Sequence, residues 1–282
     1  MDKEYFYNLS VGFDDELKLV SLMNFVEGEL MFNENYVYHS SSSNTMKNHF
    51  KSITENIKAK FEPKSILEIG SNDGVFLKHF DQTKCVAVEP CGNFAEMTNK
   101  MGYKTYSEFW NEDLAEKIVN KHGTRDLVFA ANCMCHIPNL EETFAAINQI
   151  LNQKGIFIFE DPSLIKMLER NSYDQIYDEH AHIFSVIALN NILRKNGLEI
   201  FKVENISVHG GSNRIFAKKL SDNRKIESSV EENIQIEQDF GIDKIETYRQ
   251  FAKRVEKSKK DLVNILTQLK NKDNKIISYG AT

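Results

Sequence analysis

A doubly wound α/β fold on a mostly parallel sheet is what this sequence predicts. Three observations point to it: short apolar runs alternate with helical patterns across residues 61–220, a glycine-bracketed turn follows the first run, and an acid closes the second. In the first run, Ile66, Leu67 and Ile69 read as a buried strand at 65–69. Gly70 and Gly74 bracket a tight turn, and Val75-Phe-Leu-Lys-His-Phe80 then opens a helix. Glycine suits a position where the backbone turns sharply and a ligand must approach without a Cβ in the way. The spacing is G-x-x-x-G rather than the G-x-G-x-x-G of dinucleotide binders, so a ligand without phosphates fits better.

The second strand, at 85–89, ends on Glu89, 19 residues after Gly70. That is close to the roughly 20-residue offset of an acid that accepts hydrogen bonds from ribose hydroxyls. Further strands are expected at 103–106, 126–130 and 155–160, with helices near 93–101, 112–121, 140–152 and 185–196. Residues 198–206 and 213–219 read as a closing antiparallel pair around His209-Gly-Gly-Ser212. Upstream, the serine run in Tyr36-Val-Tyr-His-Ser-Ser-Ser42 marks a loop or helix start, and Thr45–Ile53 looks helical. Downstream, 222–273 is polar and helical, with Tyr248, Phe251, Val255, Leu262, Ile265 and Leu269 forming an amphipathic stripe. Lys275-Ile-Ile-Ser-Tyr-Gly280 looks like a new buried strand meeting a glycine turn, the opening of a further domain, so the chain reads as truncated or as a natural short form. The organisation expected is an N-terminal segment at 1–60, a ligand-binding catalytic domain at 61–221, and a helical linker with the start of another domain at 222–282.

Composition narrows the function. The net charge of −6 argues against nucleic acid as a partner, because phosphate binding needs a basic face. There is no apolar run of membrane-spanning length and no signal peptide, so a cytoplasmic protein without membrane partners is expected. The four cysteines, Cys85, Cys91, Cys133 and Cys135, form no C-x-x-C pair, and Cys133 and Cys135 read as packing residues at a strand end.

The strand Ser65–Ile69, the Gly70–Gly74 turn, Glu89-Pro90 and the Asn132–His136 loop together resemble class I S-adenosylmethionine-dependent methyltransferases, over about residues 60–220. The resemblance implies a Rossmann-like fold, S-adenosyl-L-methionine as cofactor, and Glu68, Gly70, Asn72, Asp73, Gly74, Glu89, Pro90, Asn132 and His136 around it. The other readings of the same pattern are a dinucleotide-binding domain and a ligand-free one.

Three more segments carry chemistry: Tyr173-Asp-Gln-Ile-Tyr-Asp-Glu-His-Ala-His182, Val208-His-Gly-Gly-Ser-Asn-Arg214, and the Tyr36–Ser42 stretch. With them the chain resembles nucleotide-sugar C-methyltransferases, which methylate a carbon beside the ketone of a 4-keto-deoxyhexose. Such a carbon acid needs a base to take its proton and a donor to steady the enolate oxygen. The resemblance makes His180 the base. Glu179 orients it or touches substrate, Tyr177 donates a hydrogen bond, and Tyr36 or Tyr38 supplies a second hydroxyl over the site. His209, Gly210, Gly211, Ser212 and Arg214 would line the substrate pocket, with Arg214 neutralising an anionic group, although Gly210 and Gly211 also suit a plain hairpin turn. No metal enters the reaction. The family's N-terminal zinc module has its counterpart in Leu9–Val20, which contains no cysteine, so no structural zinc is expected. A nucleotide sugar is then the small-molecule partner, and the oligomeric state is open, a homodimer included. An O- or N-methyltransferase of another metabolite, and a non-catalytic cofactor-binding protein, stand as alternatives.

Overall fold

The computed structural model describes residues 6–278. Seven strands form its main sheet: β3 (Ile66–Ile69), β4 (Cys85–Val88), β5 (Lys104–Tyr106), β6 (Arg125–Ala131), β7 (Leu151–Pro162), β9 (Leu198–Ile206) and β10 (Ser212–Lys219). Their spatial order is β5-β4-β3-β6-β7-β10-β9. The first five run parallel, and β10 is antiparallel to both β7 and β9. The chain steps outward from β3 to β4 and β5, then returns to lay β6 on the other side of β3. Ligands of such sheets bind at this reversal, outside the carboxyl ends of the strands.

Both faces of the sheet are covered, which explains the near-continuous apolar runs. Leu67, Ile69, Val86, Val88, Val128, Ala130, Phe157 and Phe159 point to one face. There they pack with α4 (Glu112–His122), α5 (Leu140–Ile150) and α7 (Val186–Lys195). The alternate residues Ile66, Cys85, Ala87, Leu127, Phe129, Ile156 and Ile158 meet Phe50, Ile53 and Ile57 of α2 (Asn44–Phe61). The helix α2 begins where the serine run ends, with the Ser43 hydroxyl accepting from Met46 N at its first turn.

The N-terminal segment adds its own hairpin, β1 (Val11–Asp14) and β2 (Leu19–Leu22), and a short helix α1 (Gly28–Met31). The strand β2 pairs with β8 (His182–Ile183), so the first residues are tied to the segment that carries His180.

Several expectations need correction. No helix follows Gly74: only a 3₁₀ turn forms at Leu77–His79. Val75, Phe76 and Leu77 are consecutive and all buried, which leaves no polar face for a longer surface helix. The first helix after the turn is α3 (Gly92–Lys100), beyond β4. The polar region after 222 is two helices, α8 (Ser228–Phe240) and α9 (Ile245–Asn271), divided at Gly241, which adopts φ +87°. Lys275–Ser278 forms no strand and is exposed, and Tyr279–Gly280 lie outside the described residues. Nothing pairs with this segment among the described residues, so its apolar run finds no sheet to enter. Cys133 and Cys135 sit not on β6 but in the turn after it, where Met134–His136 is 3₁₀.

Candidate active site

The turn after β3 is shaped by three residues of positive φ: Gly70 at +69°, Asn72 at +46° and Gly74 at +74°. Packing within the chain requires both glycines. A Cβ on Gly70 would lie 2.8 Å from Cys133 Sγ, and one on Gly74 would lie 3.1 Å from Thr98 Cγ2. Glu89 follows β4, with half-buried Pro90 next to it. Its carboxylate accepts from the backbone N–H of Asn72 at 2.6 Å and of Cys91 at 2.9 Å. Glu89 thereby pins the glycine turn to the start of α3. Each oxygen takes one of these bonds and keeps a further lone pair. Burial raises the Glu89 pKa against the pull of those N–H groups.

The Tyr36–Ser42 stretch lies across this turn. Asn72 Oδ1 accepts from Ser40 N at 2.9 Å, Asn72 Nδ2 donates to the Tyr38 carbonyl at 2.9 Å, and Asp73 Oδ2 accepts from Ser41 N at 3.0 Å. On α3, Asn93 Nδ2 donates to the Tyr36 carbonyl at 2.9 Å. Tyr36 and Tyr38 are thus held over the sheet's carboxyl edge by their own main chain.

The donor set suits a small cationic ligand rich in hydrogen-bond donors. Glu68 Oε2, Ser71 Oγ, Asp73 Oδ1, Asn93 Oδ1 and Asp161 Oδ2 are buried without a hydrogen-bond partner. Asn93 Oδ1 is a pure acceptor, the carboxylates are so when ionised, and unpaired buried polar atoms are costly unless a ligand completes them. An ammonium, a ribose diol and an exocyclic amine are such completions, so the adenosyl and amino-acid parts of S-adenosyl-L-methionine fit. Burial, then the charges of Glu89 and Asp73, push the Glu68 pKa well above the usual carboxylate range. Asn132 follows β6 in the left-handed region, φ +49°, its N–H given to the Glu160 carbonyl at 2.7 Å.

His180 stands beside this cradle. Its Nδ1 lies 2.8 Å from the Gln175 carbonyl. A carbonyl only accepts, so Nδ1 carries the proton and Nε2 keeps the lone pair. The ring is packed on one side by His136, centroids 5.3 Å apart and 24° from parallel, and contacts Tyr177 at 4.2 Å. His136 in turn stacks on Phe32 at 5.4 Å. Tyr36 Oη donates to Glu179 Oε2 at 3.5 Å. Burial, and secondarily the charge of Glu179, raise the Tyr36 and Tyr177 pKa values, so both phenols stay protonated donors. Burial lowers the His180 pKa, partly offset by the Gln175 bond, and drives His136 down to about 3.

The His209–Arg214 segment combines the two readings of its glycines. His209, Gly210 and Gly211 have consecutive positive φ of +50°, +79° and +114°, and a Cβ on Gly211 would meet Lys166 Cγ at 3.0 Å. His209 is exposed, whereas Ser212 is buried with its hydroxyl on the Val208 carbonyl at 3.1 Å. Arg214 faces two carboxylates. Its Nε donates to Glu160 Oε1 at 2.5 Å and its NH1 to Glu204 Oε2 at 2.8 Å, residues on the two strands flanking it. Sequence reading missed the continuation of this network: His49 Nε2 is 2.5 Å from Glu160 Oε2. No spacing rule finds a contact between residues 111 apart. His209 feels the charges of His49 and Glu160, and His180 that of His209, so the network borders the same site.

Comparison with known proteins bears on the family. A family model described as a methyltransferase domain matches residues 45–203, and one described as a C-methyltransferase C-terminal domain matches 207–282. The C-methyltransferase NovU of Streptomyces niveus is 28% identical over 268 residues. The match takes in 93% of this chain, and the chain spans 64% of the length of that relative. Among solved structures, magnesium protoporphyrin IX methyltransferase of Synechocystis, with bound SAH, has a TM-score of 0.46 at 13% identity, covering 61% of this chain and 82% of that one. An S-adenosylmethionine-dependent methyltransferase of Clostridium acetobutylicum has 0.47 at 12%, covering 64% and 93%. With a matching domain over more than half of its 282 residues, the chain belongs to the methyltransferase-domain family, whose cofactor is S-adenosyl-L-methionine.

Proposed function

We propose that the protein methylates a carbon atom, beside the ketone of a nucleotide-linked 4-keto-deoxysugar, with His180 as the base. One observation carries the reading: the Gln175 carbonyl holds the proton on His180 Nδ1 and so leaves Nε2 free to accept one, in a ring-lined site that also presents Tyr36, Tyr177 and Glu179. The likeness to a named C-methyltransferase supports it.

In this reading Nε2 of His180 removes the proton next to the ketone, and the resulting imidazolium keeps its second N–H on the Gln175 carbonyl. Tyr177 donates toward the developing enolate oxygen, which is where fixed donors give most acceleration, and Tyr36 joins it by turning its O–H from Glu179 to the substrate. Burial of His180 limits the water that would compete for its proton. When bound, S-adenosyl-L-methionine supplies an electrophilic methyl group. The Gly70–Gly74 turn, Glu68, Glu89, Pro90 and Asn132 would hold it, with His136 contacting it from the stack. His209, Gly210, Gly211 and Ser212 would form the sugar side, with Tyr38 above. Arg214 would act there only by holding Glu160 and Glu204.

The test is incubation of the protein with candidate keto-sugar nucleotides and methyl-labelled cofactor. Label on a sugar carbon is expected, and label on oxygen or nitrogen rejects the assignment. Without methyl transfer, solvent deuterium enters the substrate beside the ketone, and His180→Ala abolishes that exchange. Unchanged exchange in the variant removes His180 from the role of base.

A further inference from the structure

We propose that Cys135, His136 and His180 together form a site for a thiophilic divalent cation of the zinc type, and that its occupation silences the enzyme by taking the base. One ligand atom from each of the three side chains lies within 4.8 Å of the other two. A thiolate with two imidazoles is a zinc donor set, unlike the all-oxygen sets of magnesium or calcium. The lone pairs are available. His136 Nε2 is buried and has no hydrogen-bond partner, and His180 Nδ1 is committed to Gln175, which leaves Nε2 as the ligating atom. The two ring centroids lie 5.3 Å apart with the planes 24° from parallel, so the rings turn to bring their in-plane lone pairs onto one ion. Zinc bonds of about 2.0–2.3 Å set tetrahedral ligand atoms roughly 3.5 Å apart, so an adjustment of about an ångström closes the site.

Binding breaks the Cys135 S–H bond and forms a sulfur–metal bond, with no change of oxidation state. The proton has an exit: Asp161 Oδ1 accepts from Cys135 N at 3.3 Å, and Oδ2 of the same carboxylate is buried without a partner. Asp161, whose pKa burial raises to about 7, keeps it. The cation then holds the Nε2 lone pair that proton abstraction requires. The site differs from the cysteine-based N-terminal module whose counterpart lacks cysteines. The silencing rests on the reading of His180 as base, whereas metal binding does not.

The experiment titrates the untagged chain with cobalt alone, then with zinc. Expected is one equivalent of cobalt with a thiolate-to-cobalt charge-transfer band in the near ultraviolet, bleached by one equivalent of zinc. Cys135→Ser loses the band, His136→Gln weakens cobalt binding at least about tenfold, and Cys133→Ser keeps the band. Circular dichroism confirms that each variant folds. A band that persists in Cys135→Ser, or a wild-type chain that binds no cobalt, overturns the site. Zinc that binds as expected yet leaves deuterium exchange into the substrate unchanged overturns the silencing and counts against His180, while the metal site stands.

Discussion

At the scale of single residues, environment decides which groups do chemistry. His180 and His136 share a stack, yet only His180 has a fixed tautomer through Gln175. Burial lowers the His180 pKa from 6.5, so its ring stays unprotonated further into acid than a free imidazole. The acid limb of kcat/KM is therefore expected below pH 6.5, and a limb at or above that value contradicts the assignment. Glu237 shows the opposite shift. It lies on α8 and accepts from Val186 N at 2.8 Å and Ile187 N at 2.9 Å, capping α7, and burial raises its pKa from 4.5 to about 7. Its folded form holds the proton more tightly than the unfolded chain, so its ionisation penalty is absent below pH 4.5 and complete above about 7. A glutamine carries no such penalty. The stability deficit of Glu237→Gln is expected to shrink as pH rises from about 5 to about 8, read by denaturant unfolding. At Gly70 two costs add, a positive φ and a Cβ 2.8 Å from Cys133. Gly70→Ala is expected to cost about 2 kcal/mol. Pairing it with Cys133→Ala restores only the steric part.

Secondary elements were legible where burial is periodic. Strands such as Ile66–Ile69 and Cys85–Val88 are buried on both faces and read as apolar runs. The stripe on α9 was equally clear, but its two halves differ. Phe251 is buried and Tyr248 and Val255 are partly so, against Leu164, Leu168 and Ile183, whereas Leu262 and Ile265 are more than half exposed. Phe251→Ala is expected to cost about 3 kcal/mol and Leu262→Ala less than about 0.5 kcal/mol, compared by equilibrium unfolding. Illegible were contacts without a local period. The Glu237 cap joins residues 51 apart, His49 meets Glu160 across the sheet edge, and the clasp of 36–41 on Asn72 and Asp73 uses main-chain N–H groups that any sequence supplies. Tyr177, Glu179 and His180 were singled out by the family resemblance, and the structure sets Tyr177 against His180 and Glu179 against Tyr36. The sequence shows Arg214 as a cation but not the carboxylates facing it.

Over the whole molecule, segments distant in sequence complete one another. The N-terminal hairpin adds β2 to β8, next to His180, and α8 supplies the acceptor for the start of α7. Removing residues 222–282 therefore strips a cap from a helix within the cofactor domain and uncovers Leu198, Ile200 and Val203 of β9, which share a core with Val230. The shortened protein is expected to melt well below the full chain, and an unchanged melting temperature argues that α8 is dispensable. The described residues contain no helix long and apolar enough to cross a membrane.

The clasp of Ser40 and Ser41 on the glycine turn has a kinetic consequence. One short stretch rests on the cofactor loop and also holds the Tyr36 phenol at Glu179, so its release breaks both contacts together. As a door over the turn, it would keep an occupant beneath it from swapping with solvent. Labelled cofactor bound beforehand should then proceed to product in the presence of a large unlabelled excess, and free exchange before turnover would show that the door stands open.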